Sequence, residues 1–186
     1  MLCVLACFFV SCEKGERVGP KKIRSRDNLR QIVVAVDNHF RRVQNTNSLT
    51  ITNNLGEQLL SWRVAILPDL GYEDLYKQFN LEKPWDSPEN KKLLTRMPDV
   101  YFWGAVEEGE TGYLACFNES IQSSNDFNFA VFDCTDGAAK HWTQPDDMGK
   151  LVSFLESNDL KIYVATINDT ESYDTEDALQ LINKGN

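Results

Sequence analysis

The sequence predicts an α+β fold, with an N-terminal amphipathic helix packed on an antiparallel sheet, and three observations predict it. Apolar residues recur at helical spacing early in the chain, short aromatic and β-branched runs fill its second half, and no alternating strand-helix-strand rhythm links them. The 186 residues suit a single domain, and 42% hydrophobic with 25% charged residues is the balance of a globular protein with a sizeable core. Ten glycines, six prolines and an 11% aromatic content exclude collagen and bulk disorder. With 28 Asp and Glu against 19 Lys and Arg, the formal charge is -9. Taken over the whole chain, that charge argues against a nucleic-acid or anionic-membrane surface.

Residues 1–12, MLCVLACFFVSC, are uncharged and almost wholly apolar, too short to cross a bilayer but suited to the apolar region of a signal peptide. Phe9-Val10-Ser11-Cys12 is similar to a bacterial lipobox, in which the cysteine is acylated; Phe9 stands where that pattern prefers Leu. Lipid attachment at Cys12 is the leading expectation, beside an ordinary secretory signal or an unprocessed apolar tail. Residues 13–26 are polar, basic and broken by Gly15, Gly19 and Pro20, the composition of a flexible tether. The domain proper is then expected over residues 27–186.

From Asp27, the positions Leu29, Ile32, Val33, Val36, Phe40 and Val43 form one helical stripe, with Asp27 or Ser25 as N-cap. Leu49 and Ile51 predict a short strand turning at Asn53-Asn54-Leu55-Gly56, and Ser61 caps a brief helix stopped by Pro68. Helices are expected over 72–79 and, from the signal Ser87-Pro88-Glu89, to about Arg96. Strands follow over 100–106, 111–117 and 127–133, then a turn at Asp136-Gly137, a helix from Pro145, a strand over 161–167 and a final helix over 174–182.

Neither His39 nor His141 has a sequence partner that points to catalysis, and the common nucleophile, phosphate-loop and metalloprotease motifs are absent from the chain. The acidic run holding Asp169, Glu171 and Asp174 is a candidate metal site, set against the simpler reading of carboxylates at the start of the last helix. Cys116 and Cys134 lie on two strands expected to pair, so a disulfide and two buried thiols are both open. No cofactor is expected.

Leu59-Leu60-Ser61-Trp62-Arg63-Val64, then Pro84-Trp85-Asp86-Ser87-Pro88 with Asn90-Lys91 and Met97-Pro98, form an ordered set of motifs. With Asn28-Leu29-Arg30-Gln31-Ile32 before them and Trp142-Thr143-Gln144-Pro145-Asp146-Asp147 after, they resemble the pilin-like domain of unknown function abundant in planctomycetes. Members of that family are labelled type II secretion pseudopilin-G-like or H-x9-DG proteins. The family usually starts with a prepilin leader and a long apolar helix, where this chain has the lipobox-like segment and basic tether. The H-x9-DG signature falls on Asp159 and Asp169-Thr170, which keeps one of its three residues.

The leader, the resemblance with its departures, and the absence of catalytic motifs together imply a non-catalytic protein of the cell envelope, lipid-anchored or secreted. It would touch the membrane only through its N-terminal anchor, bind an unknown envelope protein, and form no pilin-type polymer. The alternative is an extracytoplasmic binder of a small ligand or divalent metal, with an aromatic pocket around Trp62, Trp85, Trp103 or Trp142; a hydrolase would require converging carboxylates. Trp62, Arg63, Trp85, Asp86, Ser87 and Trp142 are expected to serve folding.

Overall fold

The computed structural model describes residues 20–43, 49–102, 107–117, 129–133, 139–146, 162–165 and 170–173. Its longest element is α1 (Pro20–Val43). Leu29, Ile32, Val33, Val36 and Phe40 are all buried along one side of it, as their spacing requires. Two expectations need correction. The helix starts at Pro20, so residues 20–26 of the expected tether are helical and neither Ser25 nor Asp27 is a cap. Proline is suited to the first helical position, and the Lys and Arg that suggested a solvated linker are good helix formers. At the other end Val43 is exposed.

After α1, β1 (Ile51–Thr52) and β2 (Gln58–Leu60) form a small antiparallel hairpin. Asn53 builds its turn, since its Oδ1 accepts from the backbone N–H groups of Leu55 and Glu57, each at 2.9 Å. Gly56 closes the turn at φ +79°, a conformation that favours glycine. Next comes α2 (Trp62–Ala65), capped by Ser61, whose side chain accepts from the Arg63 N–H. A 3₁₀ turn at Pro68–Leu70 ends at Gly71, and α3 (Glu73–Tyr76) follows. In α4 (Pro88–Lys91), Ser87 accepts from the Asn90 N–H and Pro88 sits at the start, the arrangement its sequence signal predicts. This helix is one turn long and passes into a 3₁₀ turn at Leu94–Arg96.

Where the first expected strand of the second half would begin, the chain forms a 3₁₀ turn at Asp99–Tyr101. There the N–H groups of Tyr101 and Phe102 are committed locally, to the carbonyls of Pro98 and Asp99 at 3.0 and 3.1 Å, and are unavailable to a ladder. Residues 103–106 lie outside the described residues. The strands are β3 (Glu110–Thr111), β4 (Tyr113–Phe117), β5 (Phe129–Asp133), β6 (Lys140–His141), β7 (Ile162–Ala165) and β8 (Thr170–Tyr173). β4, β5, β7 and β8 form an antiparallel sheet in that order, whereas β3 pairs with β6 in a separate ribbon. β8 is an addition to the expected order, and it puts Glu171 in a strand, opposite Val164, rather than at a helix start. The expected turn at Asp136-Gly137, the body of the helix from Pro145 and the final helix lie outside the described residues.

α1 crosses the sheet, contacting β5, β7 and β8, and also the 3₁₀ turns at Pro68–Leu70 and Asp99–Tyr101. Tyr113 and Ala115 of β4 and Val131 of β5 join its buried stripe in one core with Trp62, Ile66, Tyr101 and Trp142. Alternation along the strands puts Tyr113, Ala115 and Val131 on the same face, because Ala115 lies opposite Val131 in the register. Helix on one side of an antiparallel sheet is the α+β architecture the sequence predicts.

Candidate functional site

The most polar part of the interior forms where α2 meets β4 and the segment after β6. Ser61 fastens these pieces, its N–H donating to the Thr143 carbonyl at 2.9 Å while its hydroxyl caps α2. The first turn of α2 then directs Trp62 and Arg63 inward. Arg63, 0% exposed, donates through Nε to the Tyr113 carbonyl at 2.9 Å and through Nη1 to Ser61 Oγ at 3.0 Å. Its Nη2 meets both carboxylate oxygens of Asp146, at 2.9 and 3.1 Å, and also bonds Tyr113 O.

Asp146 collects the other donors. Oδ2 accepts from the Trp62 indole at 2.8 Å and from the backbone N–H of Ala115 at 3.0 Å, while Lys140 Nζ stands 3.4 Å from Oδ1 and 2.7 Å from the Pro145 carbonyl. These contacts fill the lone pairs of the carboxylate, which leaves it without the open position a general base or metal ligand needs. The Arg63 guanidinium also lies over the Trp62 ring, 4.6 Å from its centre. Above it, Tyr101 donates its hydroxyl to the Arg63 carbonyl at 2.8 Å. Burial pushes the Tyr101 phenol well above its ordinary range, so it remains a donor.

The two buried tryptophans are packed by protein. Trp62 meets Tyr101 edge-on at 6.3 Å; Trp142 stacks on Tyr101 at 6.0 Å, meets Phe79 edge-on at 5.7 Å, and donates its indole N–H to the Leu94 carbonyl at 2.9 Å. Neither ring is left to line a pocket. Trp85 is half-buried, its ring tilted against His141 with centres 5.4 Å apart, and its backbone N–H donates to the Leu59 carbonyl. Asp86 is exposed and Ser87 is a cap. Thus the structure brings Trp62, Arg63 and Trp142 into one core and places Trp85, Asp86 and Ser87 along a neighbouring turn.

Sequence reasoning missed Asp146 and Asn90 as organising residues. Asp146 was visible only as a member of the Trp142–Asp147 motif. Asn90 is wholly buried: its Nδ2 donates to the carbonyls of Asn80, Lys83 and Pro84 at 3.0, 3.1 and 3.0 Å, and its Oδ1 accepts from the Asn80 N–H at 2.9 Å. One side chain thereby closes the whole loop before α4.

The second polar cluster joins α1 to the Pro68–Leu70 turn. His39 Nδ1 lies 3.0 Å from Asp69 Oδ2 and 3.1 Å from Arg42 Nη2, while Arg42 grips Asp69 through Nε at 3.2 Å and Nη2 at 2.9 Å. A proton on Nδ1 donates to Asp69; without it, the nitrogen accepts from Arg42. Burial lowers the His39 pKa and outweighs the stabilising Asp69 carboxylate. Burial opposes ionisation of Asp69 too, but there the Arg42 and His39 hydrogen bonds prevail and hold its carboxyl below the ordinary value.

Cys116 lies opposite Ala130 in the β4–β5 register, and β5 ends at Asp133 opposite Tyr113, three residues before Cys116. Cys134 lies outside the described residues, as do Cys12, Trp103, Asp169 and Asp174. Among the described residues, no group of three or more His, Cys, Asp or Glu is arranged to hold a metal ion.

A family model described as "Protein of unknown function (DUF1559)" matches residues 22–158. The chain belongs to this family. Within DUF1559, the matched span takes in α1 from Lys22 onward, the Ser61–Arg63 cap, the Asn90 loop, and Trp142 with Asp146, so both halves of the buried junction lie inside it. No curated protein and no solved structure matches the chain. No helix among the described residues is long and apolar enough to cross a membrane.

Proposed function

We propose that this DUF1559 protein is a non-catalytic interaction domain of the cell envelope, with a pilin-like arrangement of one long helix on an antiparallel sheet and an acyl anchor at Cys12. The observation that carries the reading is the state of the polar residues. Arg63, Asp146, Trp62, Trp142 and Asn90 are occupied in bonds that hold the fold together, so recognition falls to the surface around them. The pseudopilin-like resemblance supports the same reading, as does the packing of α1 across the sheet.

Metabolic labelling with a fatty acid, followed by fractionation, tests the location. Label should enter the wild type in the envelope fraction and be absent from Cys12→Ser. Equal labelling of both, or a cytoplasmic wild type, would overturn the anchor. Crosslinking and capture from the envelope fraction then tests the interaction role. A recovered envelope protein supports it, and turnover of a substrate abolished by a folded surface variant would replace it with an enzymatic role.

A further inference from the structure

We propose that the first three turns of α1 dock on an anionic lipid bilayer and turn the acidic body of the domain away from it. The inference rests on the envelope reading above. Of the 19 Lys and Arg in the chain, five (Lys21, Lys22, Arg24, Arg26 and Arg30) fall within the eleven residues Pro20–Arg30, beside a single acid, Asp27. Outside that segment 14 basic residues face 27 acidic ones, so the formal charge of -9 conceals two regions of opposite sign.

The chemistry of a helix start disfavours this placement. The first turn of α1 holds no acidic residue, although the partial positive charge of a helix start favours one and disfavours Lys and Arg. The stripe that packs on the sheet is formed by Asn28, Leu29, Ile32, Val33, Val36 and Phe40, and Arg30 and Gln31 are exposed beside it. Four of the five basic residues therefore precede the first residue of that stripe, at a helix start where charge and dipole disagree, and such a disagreement points to function.

The sequence also favours a membrane over another polyanion. Cys12 precedes Pro20 by eight residues, a span of at most about 28 Å. An acyl chain at Cys12 would hold the basic turns close to the headgroups, where each Lys or Arg strengthens attachment to an anionic surface roughly five-fold. The acidic remainder is repelled by the same surface. Together the two effects orient the domain with the start of α1 toward the lipid and its far end outward.

The test is sedimentation of the full chain, carrying Cys12→Ser to remove acylation, with vesicles of phosphatidylcholine alone or with about one third phosphatidylglycerol. The expected result is a preference for the phosphatidylglycerol vesicles that is lost in high salt. Replacing Lys21, Lys22, Arg24 and Arg26 together with Gln should weaken that preference by about a hundred-fold or more. Replacing the exposed Lys77, Lys83, Lys91 and Lys92 with Gln removes the same charge elsewhere and should alter it only a few-fold. Equal binding to both vesicle types, or equal losses in the two quadruple variants with circular dichroism showing both folded, would overturn the proposal. So would equally tight binding to a duplex oligonucleotide. Fatty-acid labelling separates the two readings: a chain that takes no label yet prefers anionic vesicles defeats the anchor and keeps the docking surface, and the reverse result does the opposite.

Discussion

Arg63 and Asp146, 83 residues apart in sequence, meet at 2.9 Å and together close the free side of β4. Arg63 takes the Tyr113 carbonyl, and Asp146 takes the Ala115 N–H. Both backbone groups point away from β5, because alternate residues of an antiparallel strand face opposite neighbours. β4 is an edge among the described strands, and the ion pair occupies the positions another strand would use.

Removing one half of this pair should be severe. Asp146→Ala leaves the buried Arg63 guanidinium, the Trp62 indole N–H and the Ala115 N–H short of a partner, at a cost of about 3 kcal/mol or more. Urea denaturation monitored by tryptophan fluorescence should show it, and a midpoint within error of the wild type would mean that the junction contributes no stability. The double variant Arg63→Met with Asp146→Leu should recover part of the loss, since it removes both charges at once.

Asn90→Ala tests the other missed residue. The Lys83 carbonyl and the Asn80 N–H lose their partner, and the carbonyls of Asn80 and Pro84 keep only the N–H groups of Lys83 and Ser87, so a loss of roughly 3 kcal/mol is expected, larger than the ~1 kcal/mol expected for Ser87→Ala at the adjacent cap. Equilibrium unfolding of the two variants side by side checks the order, and a Ser87→Ala loss equal to or greater than that of Asn90→Ala would refute it.

On α1, neighbouring valines should respond in opposite ways. Val36→Asp places a carboxylate at a fully buried position against the sheet and should cost about 3 kcal/mol or more, whereas Val34, 55% exposed, should accept Asp within about 0.5 kcal/mol. Melting temperatures that fall equally for both would contradict the placement of the helix.

The His39 cluster predicts an acid-labile attachment of α1 to the Pro68–Leu70 turn. Because burial lowers the His39 pKa in the folded state, the unfolded chain takes up its proton first as pH falls below about 6.5. Stability that is full above that pH should therefore decline toward pH 5. Asp69, held below its ordinary value, should add a second loss below about pH 4, as the carboxylate that Arg42 and His39 grip is protonated. Melting temperatures between pH 7 and 5 should fall for the wild type and flatten in His39→Gln. The same slope in both would remove His39 as the cause.

By itself the sequence determined the features that depend on near neighbours along the chain. The stripe Leu29 to Phe40, the Asn53 turn, the caps at Ser61 and Ser87, and the pairing of β4 with β5 follow from periodicity, capping chemistry and a short connection. The family resemblance was carried by the same short motifs. Tertiary structure alone decided which distant groups satisfy one another: Asp146 with Arg63, Asn90 with the loop at 80–84, and His39 with Asp69. It also turned the apolar run at Val100 into a 3₁₀ turn, since the Tyr101 hydroxyl reaches the Arg63 carbonyl and Thr111 donates to the Tyr101 carbonyl. The physical reason is one of range. Helix and strand periods and caps act within a few residues, whereas a buried charge or amide must find partners wherever the folded chain brings them, and no local pattern records that choice.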